Sequence, residues 1–127
     1  MMVTPLATAF ARGNYLSLET FRSDGTGVRT PVWFALDRDG TLYLYTLLNS
    51  GKTKRVRRTA AVRVALCDMR GQVRGPWIDA TASIAGAAQY AHGMALLDRK
   101  YWPWKKIGDL VGHLRKPRPR AVIAIRG

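Results

Sequence analysis

The sequence is short of nearly every residue on which side-chain catalysis depends. Its 127 residues include one cysteine, one glutamate and two histidines. Cys67 has no partner for an internal disulfide and fits a reducing cytoplasm. In an alternating stretch it reads as a small packing residue rather than a nucleophile. His92 and His113 fall in separate helical patterns, neither with a carboxylate at a matching interval, so no acid–base pair is visible. No Cys/His cluster has metal-ligand spacing, and no Gly-x-Ser-x-Gly or comparable nucleophile setting occurs. No apolar run approaches ~18 residues, which excludes a membrane-spanning helix. Residues 1–12 lack the basic region and cleavage site of a secretory signal. An enzyme with this inventory needs a bound cofactor to bring the reactive atom.

Positive charge is what the chain has in excess. Lys and Arg number 21 against 8 acidic residues, a net charge of +13, and 15 of the 21 are Arg, the side chain suited to bidentate recognition of phosphate and carboxylate. Nucleic acid, an acidic membrane surface and a polyanionic small molecule compete as the reason. A nucleic-acid module would interleave its basic residues with exposed aromatics or carry a helix-turn-helix, and neither is present. Six of the cations fall between Lys52 and Arg63, which favours one small anionic ligand. With 47% hydrophobic residues and no low-complexity tract, residues 1–127 read as one globular domain with a modest core.

The stretch from Thr46 to Asp68 concentrates the chemistry. A strand ends in the turn Asn49, Ser50, Gly51, and a short basic helix follows with Ser50 as N-cap. Lys52, Lys54 and Arg55 then crowd the positive end of the helix dipole, where each cation costs ~0.3–1 kcal/mol. No carboxylate lies between Asp39 and Asp68 to offset them. First-turn amides, a hydroxyl and converging Lys and Arg side chains together suit a phosphate, so the missing anion is read as a ligand. The plainer reading is a solvated basic face. Ser50-Gly51-Lys52-Thr53 is also similar to the end of a nucleotide P-loop, but the motif's first glycine falls on Thr46.

Alternation and turn residues predict the rest. Thr4-Pro5 starts a short helix reaching about Arg12. Strands follow at 15–22, 28–36 and 41–47, the second broken at Pro31, which cannot donate to a ladder and marks an edge or a bulge. Further strands cover 62–68, 78–85 and 120–126. A helix runs over 86–101, Trp102-Pro103-Trp104 breaks it, and Ile107, Leu110, Val111 and Leu114 recur at helical spacing. The economical architecture is mainly β: a six-stranded antiparallel barrel with helices plugging its ends.

The succession Val28-Arg29-Thr30-Pro31-Val32-Trp33-Phe34, Leu42 to Thr46, Ser50-Gly51-Lys52 with Arg55 and Arg58, then Val62 to Cys67, resembles the split β-barrel flavin and deazaflavin oxidoreductases related to pyridoxamine 5'-phosphate oxidase. Within them it is most similar to a short branch of coenzyme F420-dependent enzymes. The resemblance spans residues 4–126, through several weak motifs in the right order. It implies an FMN-binding-like split barrel and a homodimer with cofactor sites at the subunit interface. It also implies that Thr30, Pro31, Val32 and Trp33 lie against the cofactor ring, and that Thr46, Ser50, Gly51, Lys52 and Arg55 meet the phosphate. The substrate-phosphate motif of the pyridoxamine oxidases is missing near the C-terminus, which argues against vitamin B6 oxidation.

F420 carries a phosphodiester and an oligoglutamate tail, and the spread of Lys52, Lys54, Arg55, Arg57 and Arg58 suits that better than the terminal phosphate of FMN. The expected activity is hydride transfer between F420 and an unidentified small molecule, with FMN as the alternative cofactor. A non-catalytic carrier of flavin, deazaflavin or haem stands as a further alternative. Trp77 is a candidate for the substrate side, with core or dimer packing as its other reading.

Overall fold

The computed structural model describes residues 5–101 and 120–127. In chain order they form α1 (Pro5–Ala9), β1 (Tyr15–Phe21), β2 (Gly27–Trp33), β3 (Ala35–Leu36), β4 (Leu42–Leu47), α2 (Gly51–Arg58), β5 (Ala61–Cys67), β6 (Ile78–Ile84), α3 (Ala87–Tyr101) and β7 (Arg120–Arg126). One antiparallel sheet takes the order β2-β1-β5-β6-β7-β4-β3. Its two end strands are separated by Phe34 alone, so the sheet curls back on itself into a split barrel. The strands number seven where six are expected, because the 28–36 segment divides in two. It breaks at Phe34 and not at Pro31. Pro31 stays in register opposite Ser17 on an edge strand, the setting a residue without an N–H tolerates. Phe34 is fully buried where the chain leaves β1 to pair with β4.

Alternation explains how the interior fills. Leu16, Leu18, Leu42, Leu44, Val62, Val64, Ile123 and Ile125 point inward from their strands and join one core. The small residues of β6 belong to it, Ala82 buried and Ala80 partly so, and α2 packs against that strand. Of the helices expected to plug the ends, α1 supplies Leu6, with Phe10 just past its end, and α2 supplies Val56. α3 does not plug the barrel. Its Tyr90 and Met94 pack on Tyr43, Val122 and Ala124, residues that alternate with the core-facing ones, so α3 lies on the outer face. Thr4, His113 and the expected break and helix over 102–114 lie outside the described residues. No helix among the described residues is long and apolar enough to cross a membrane.

The approach of α3 is set by Gly93. A Cβ there would stand 2.8 Å from Tyr43 Cδ1 and 3.0 Å from Val122 Cγ1. Gly93→Ala is therefore expected to destabilise the protein by about 1–2 kcal/mol despite alanine's better helix propensity. Urea denaturation read by circular dichroism would measure the shift.

Candidate cofactor site

The turn after β4 builds a chain of hydroxyls. Ser50 is the N-cap of α2 and its Oγ accepts a hydrogen bond from the Thr53 amide at 3.2 Å. The same Oγ lies 3.2 Å from Thr46 Oγ1 and 3.0 Å from Thr53 Oγ1, and Thr53 donates to the Leu47 carbonyl at 2.9 Å. Thr53, which the sequence did not single out, is fully buried and locks this turn. The Gly51 and Lys52 amides open the helix, where no intrahelical acceptor exists for them.

Cations gather on one flank of α2. Arg55 Nε donates to Thr20 Oγ1 at 2.6 Å, and Arg58 donates to the Phe21 carbonyl at 2.9 Å. Arg55's guanidinium folds back over Gly51, where an added Cβ would sit 2.6 Å from its terminal nitrogen. Gly51 is thus the space Arg55 occupies. Burial lowers the pKa of Lys52, with Arg55 adding to the effect. Burial also lowers that of Arg55, with Arg22 and Arg58 contributing. Among the described residues no ion pair involves Arg22, Lys52, Arg55 or Arg58. Lys52, Arg55 and Arg58 follow one another around the helix, while Arg57 lies beyond buried Thr53 on the other flank. Lys54 and Arg57 are both exposed. Arg22 was not legible as a member, although it follows the two β1 residues to which Arg55 and Arg58 are tied.

Where β2 nears β4, Tyr15, Pro31, Val32, Trp33 and Tyr45 line an open cavity of about 290 Å³, near the lower end of small-molecule sites. Its walls are aromatic and apolar. Tyr15 meets Trp33 edge-on, with ring centroids 6.4 Å apart. Tyr45 borders the cavity and the next residue, Thr46, joins the hydroxyl chain, so one strand end adjoins both features. Thr30 is half-buried on β2 opposite Leu18 and is not part of the cavity wall.

Trp77 stands elsewhere. Its indole lies between the guanidiniums of Arg29 and Arg63, 4.5 and 5.1 Å from the ring centre, and both arginines pair with buried Glu19 at 2.8 and 3.2 Å. That network braces the outer face of β1, β2 and β5. His92 pairs with Asp37 at 2.7 Å, a carboxylate too distant in sequence to be noticed. Cys67 is buried, and burial raises its thiol pKa, as befits a packing residue. Among the described residues no cluster suits a metal ion.

No family model matches the chain, and no curated protein matches it in sequence. Solved structures do match in fold. A candidate pyridoxamine 5'-phosphate oxidase from Listeria innocua superposes with a TM-score of 0.65 at 17% identity, over 95% of this chain and 89% of its own. An F420 reductase gives 0.60 at 20% identity, over 98% and 94%. HutZ, the haem storage protein of Vibrio cholerae, gives 0.68 at 12%, over 99% and 90%. At these identities the likeness concerns architecture alone. The curled sheet, its order and these neighbours give the chain the split β-barrel fold of the pyridoxamine 5'-phosphate oxidase-like proteins.

Proposed function

We propose that the protein is an oxidoreductase that binds coenzyme F420. The observation that carries this reading is the gathering of Lys52, Arg55 and Arg58 along one flank of α2, with Arg22 near Arg55 and no carboxylate among them. Several unpaired cations ask for a ligand with more than one negative group. An aromatic, apolar cavity beside them suits a planar ring system. Lys52, Arg55 and the opening amides of α2 would hold the phosphodiester. Arg58 and Arg22 would hold acidic groups beyond it. Pro31, Val32 and Trp33 would lie against the ring. When bound, the deazaflavin supplies the hydride-transfer centre. The chain's part is to orient the ring and exclude water from one side of it.

A homodimer belongs to the same reading, because the cavity is open on one side and a second subunit would complete it. Light scattering at micromolar concentration should give twice the chain mass; a monomer would remove the shared site. FMN is the second cofactor, since it offers a ring and a phosphate to the same residues. Haem suits the cavity less well. Among the described residues, those lining it provide only Tyr15 and Tyr45 as axial ligands, and His92 is engaged by Asp37.

Side-by-side titration of the purified protein with F420, FMN and haem tests the proposal, and tighter binding of FMN or haem would displace it. A finer expectation follows from the geometry. Neutralising Arg22 and Arg58 together should weaken F420 several-fold at low salt and much less at high salt, because each exposed contact is worth no more than ~1 kcal/mol. FMN ends at its phosphate and should lose less. Fluorescence titration of both ligands at two ionic strengths reads the difference.

A further inference from the structure

At the last described turn of α3, one hydroxyl reaches two separate strands. Tyr101 is 4% exposed, and its oxygen lies 2.7 Å from the Asn14 carbonyl, 2.6 Å from the Phe34 carbonyl and 3.0 Å from the Phe34 amide. Asn14 immediately precedes Tyr15, and Phe34 immediately follows Trp33. Those two neighbours are aromatic walls of the cavity. They are also the terminal pair of the β1–β2 ladder, in register opposite one another. Beyond them the β1–β2 ladder ends, while Tyr15 stays paired with Cys67 of β5 and Ala35 with Tyr43 of β4.

Two carbonyls compete for one proton here. A phenol has one proton and accepts through its oxygen. The Phe34 amide donates to that oxygen, and the single phenol proton is shared between the Phe34 carbonyl at 2.6 Å and the Asn14 carbonyl at 2.7 Å, with Lys100 Nζ giving the Phe34 carbonyl a second donor at 2.8 Å. Burial pushes the phenol's pKa well above its ordinary value, so it stays a donor across the neutral range. The Lys100 ammonium also sits 3.7 Å from the centre of the Phe34 ring. Finally, the Tyr101 ring lies flat on Trp33, with centroids 4.7 Å apart and planes 6° from parallel.

From this clamp we infer that Tyr101 is a positioning residue for a planar aromatic ligand: its hydroxyl ties down the backbone beside Tyr15 and Trp33, and its ring sets the plane of the Trp33 indole. The inference rests on the reading of the cavity as a ring site. It adds that α3 holds the ring wall from behind and supplements the pairing of Tyr15 with Cys67 and of Ala35 with Tyr43. Tyr101 itself is not part of the cavity lining and needs no contact with the ligand.

Tyr101→Phe keeps the stack and removes the clamp. The affinity of this variant for F420, and for riboflavin as a ring without phosphate, should fall about five- to tenfold, as expected for one lost hydrogen bond that fixes geometry. Its affinity for pyrophosphate, which reports on the cations alone, should not change. The near-ultraviolet circular dichroism of the Trp33–Tyr101 stack should weaken, with Trp33→Phe identifying that signal. Amide exchange in the unaltered protein supplies a check that needs no variant: the Phe34 amide should be protected, and exchange at the rate of a free loop would overturn the clamp. If Tyr101→Phe bound both rings as tightly as the unaltered protein, the positioning role would fall while the functional reading stood. If the unaltered protein bound no ring ligand at all, both would fall.

Discussion

Arg55→Ala is expected to weaken F420 and FMN alike by ~1.5–3 kcal/mol, roughly a tenfold to hundredfold loss of affinity. The figure is that of a hydrogen bond to a charged group, and Arg55 is placed to make one. Its Nε is fixed on Thr20 and its terminal nitrogens lie against Gly51 at the start of α2, so little side-chain entropy remains to be lost on binding. The loss should shrink as salt rises. Stability should drop by only ~1 kcal/mol, the worth of the Thr20 bond. Lys54→Ala is the matched control, since Lys54 is exposed and should change affinity by less than ~0.5 kcal/mol. Titration of both variants by cofactor fluorescence settles the matter. Equal affinities throughout would reduce the basic flank of α2 to a solvated surface.

Phe34→Ala should produce the largest loss of stability, ~3–5 kcal/mol. The side chain is fully buried, meets Phe10 edge-on with centroids 5.4 Å apart, and carries the Lys100 ammonium on its face. It is also the one residue between β2 and β3, so a cavity there falls at the barrel's seam as well as in its core. At roughly 4 °C per kcal/mol for a domain of this size, the thermal midpoint should fall by about 10–20 °C. Val56→Ala, which also trims the core but lies away from the seam, should cost less because fewer methyl groups are removed. Calorimetry on both variants makes the comparison, and a Phe34→Ala loss no greater than that of Val56→Ala would deny the seam any special weight.

What could be read in advance follows the range of the interactions concerned. Ser50 capping the basic helix is a contact across three residues, and strand alternation is a property of single segments, so both were visible. The break at Phe34 was misplaced at Pro31, because the proline's missing donor is a local property. The need to switch from β1 to β4 arises only once the sheet is assembled. Amphipathicity showed that α3 has an apolar face but not which side of the sheet would receive it. The candidate site divided in the same way. Lys52, Arg55 and Arg58 share a helix flank by spacing alone, whereas Arg22 comes near them because Arg55 and Arg58 bond to Thr20 and Phe21, its neighbours in the chain, across more than 30 residues. Trp77 drew notice as a candidate for the substrate side, with packing as its other reading. Its ring contacts are with Arg29 and Arg63, which pair with Glu19, and these three come from three different strands that only the assembled sheet brings together.

The position of β7 bears on how the chain is made. It is the last strand in the sequence, yet it lies in the middle of the sheet between β6 and β4, pairing Leu42 with Ile125 and Ala82 with the same residue on its other side. During synthesis β4 and β6 therefore wait with unpaired edges until residues 120–126 have cleared the ribosome tunnel. Contacts of such long sequence separation form late and slowly. The barrel cannot close before β7 arrives, and the interval in which the two strand edges stand open is the period of greatest exposure to aggregation.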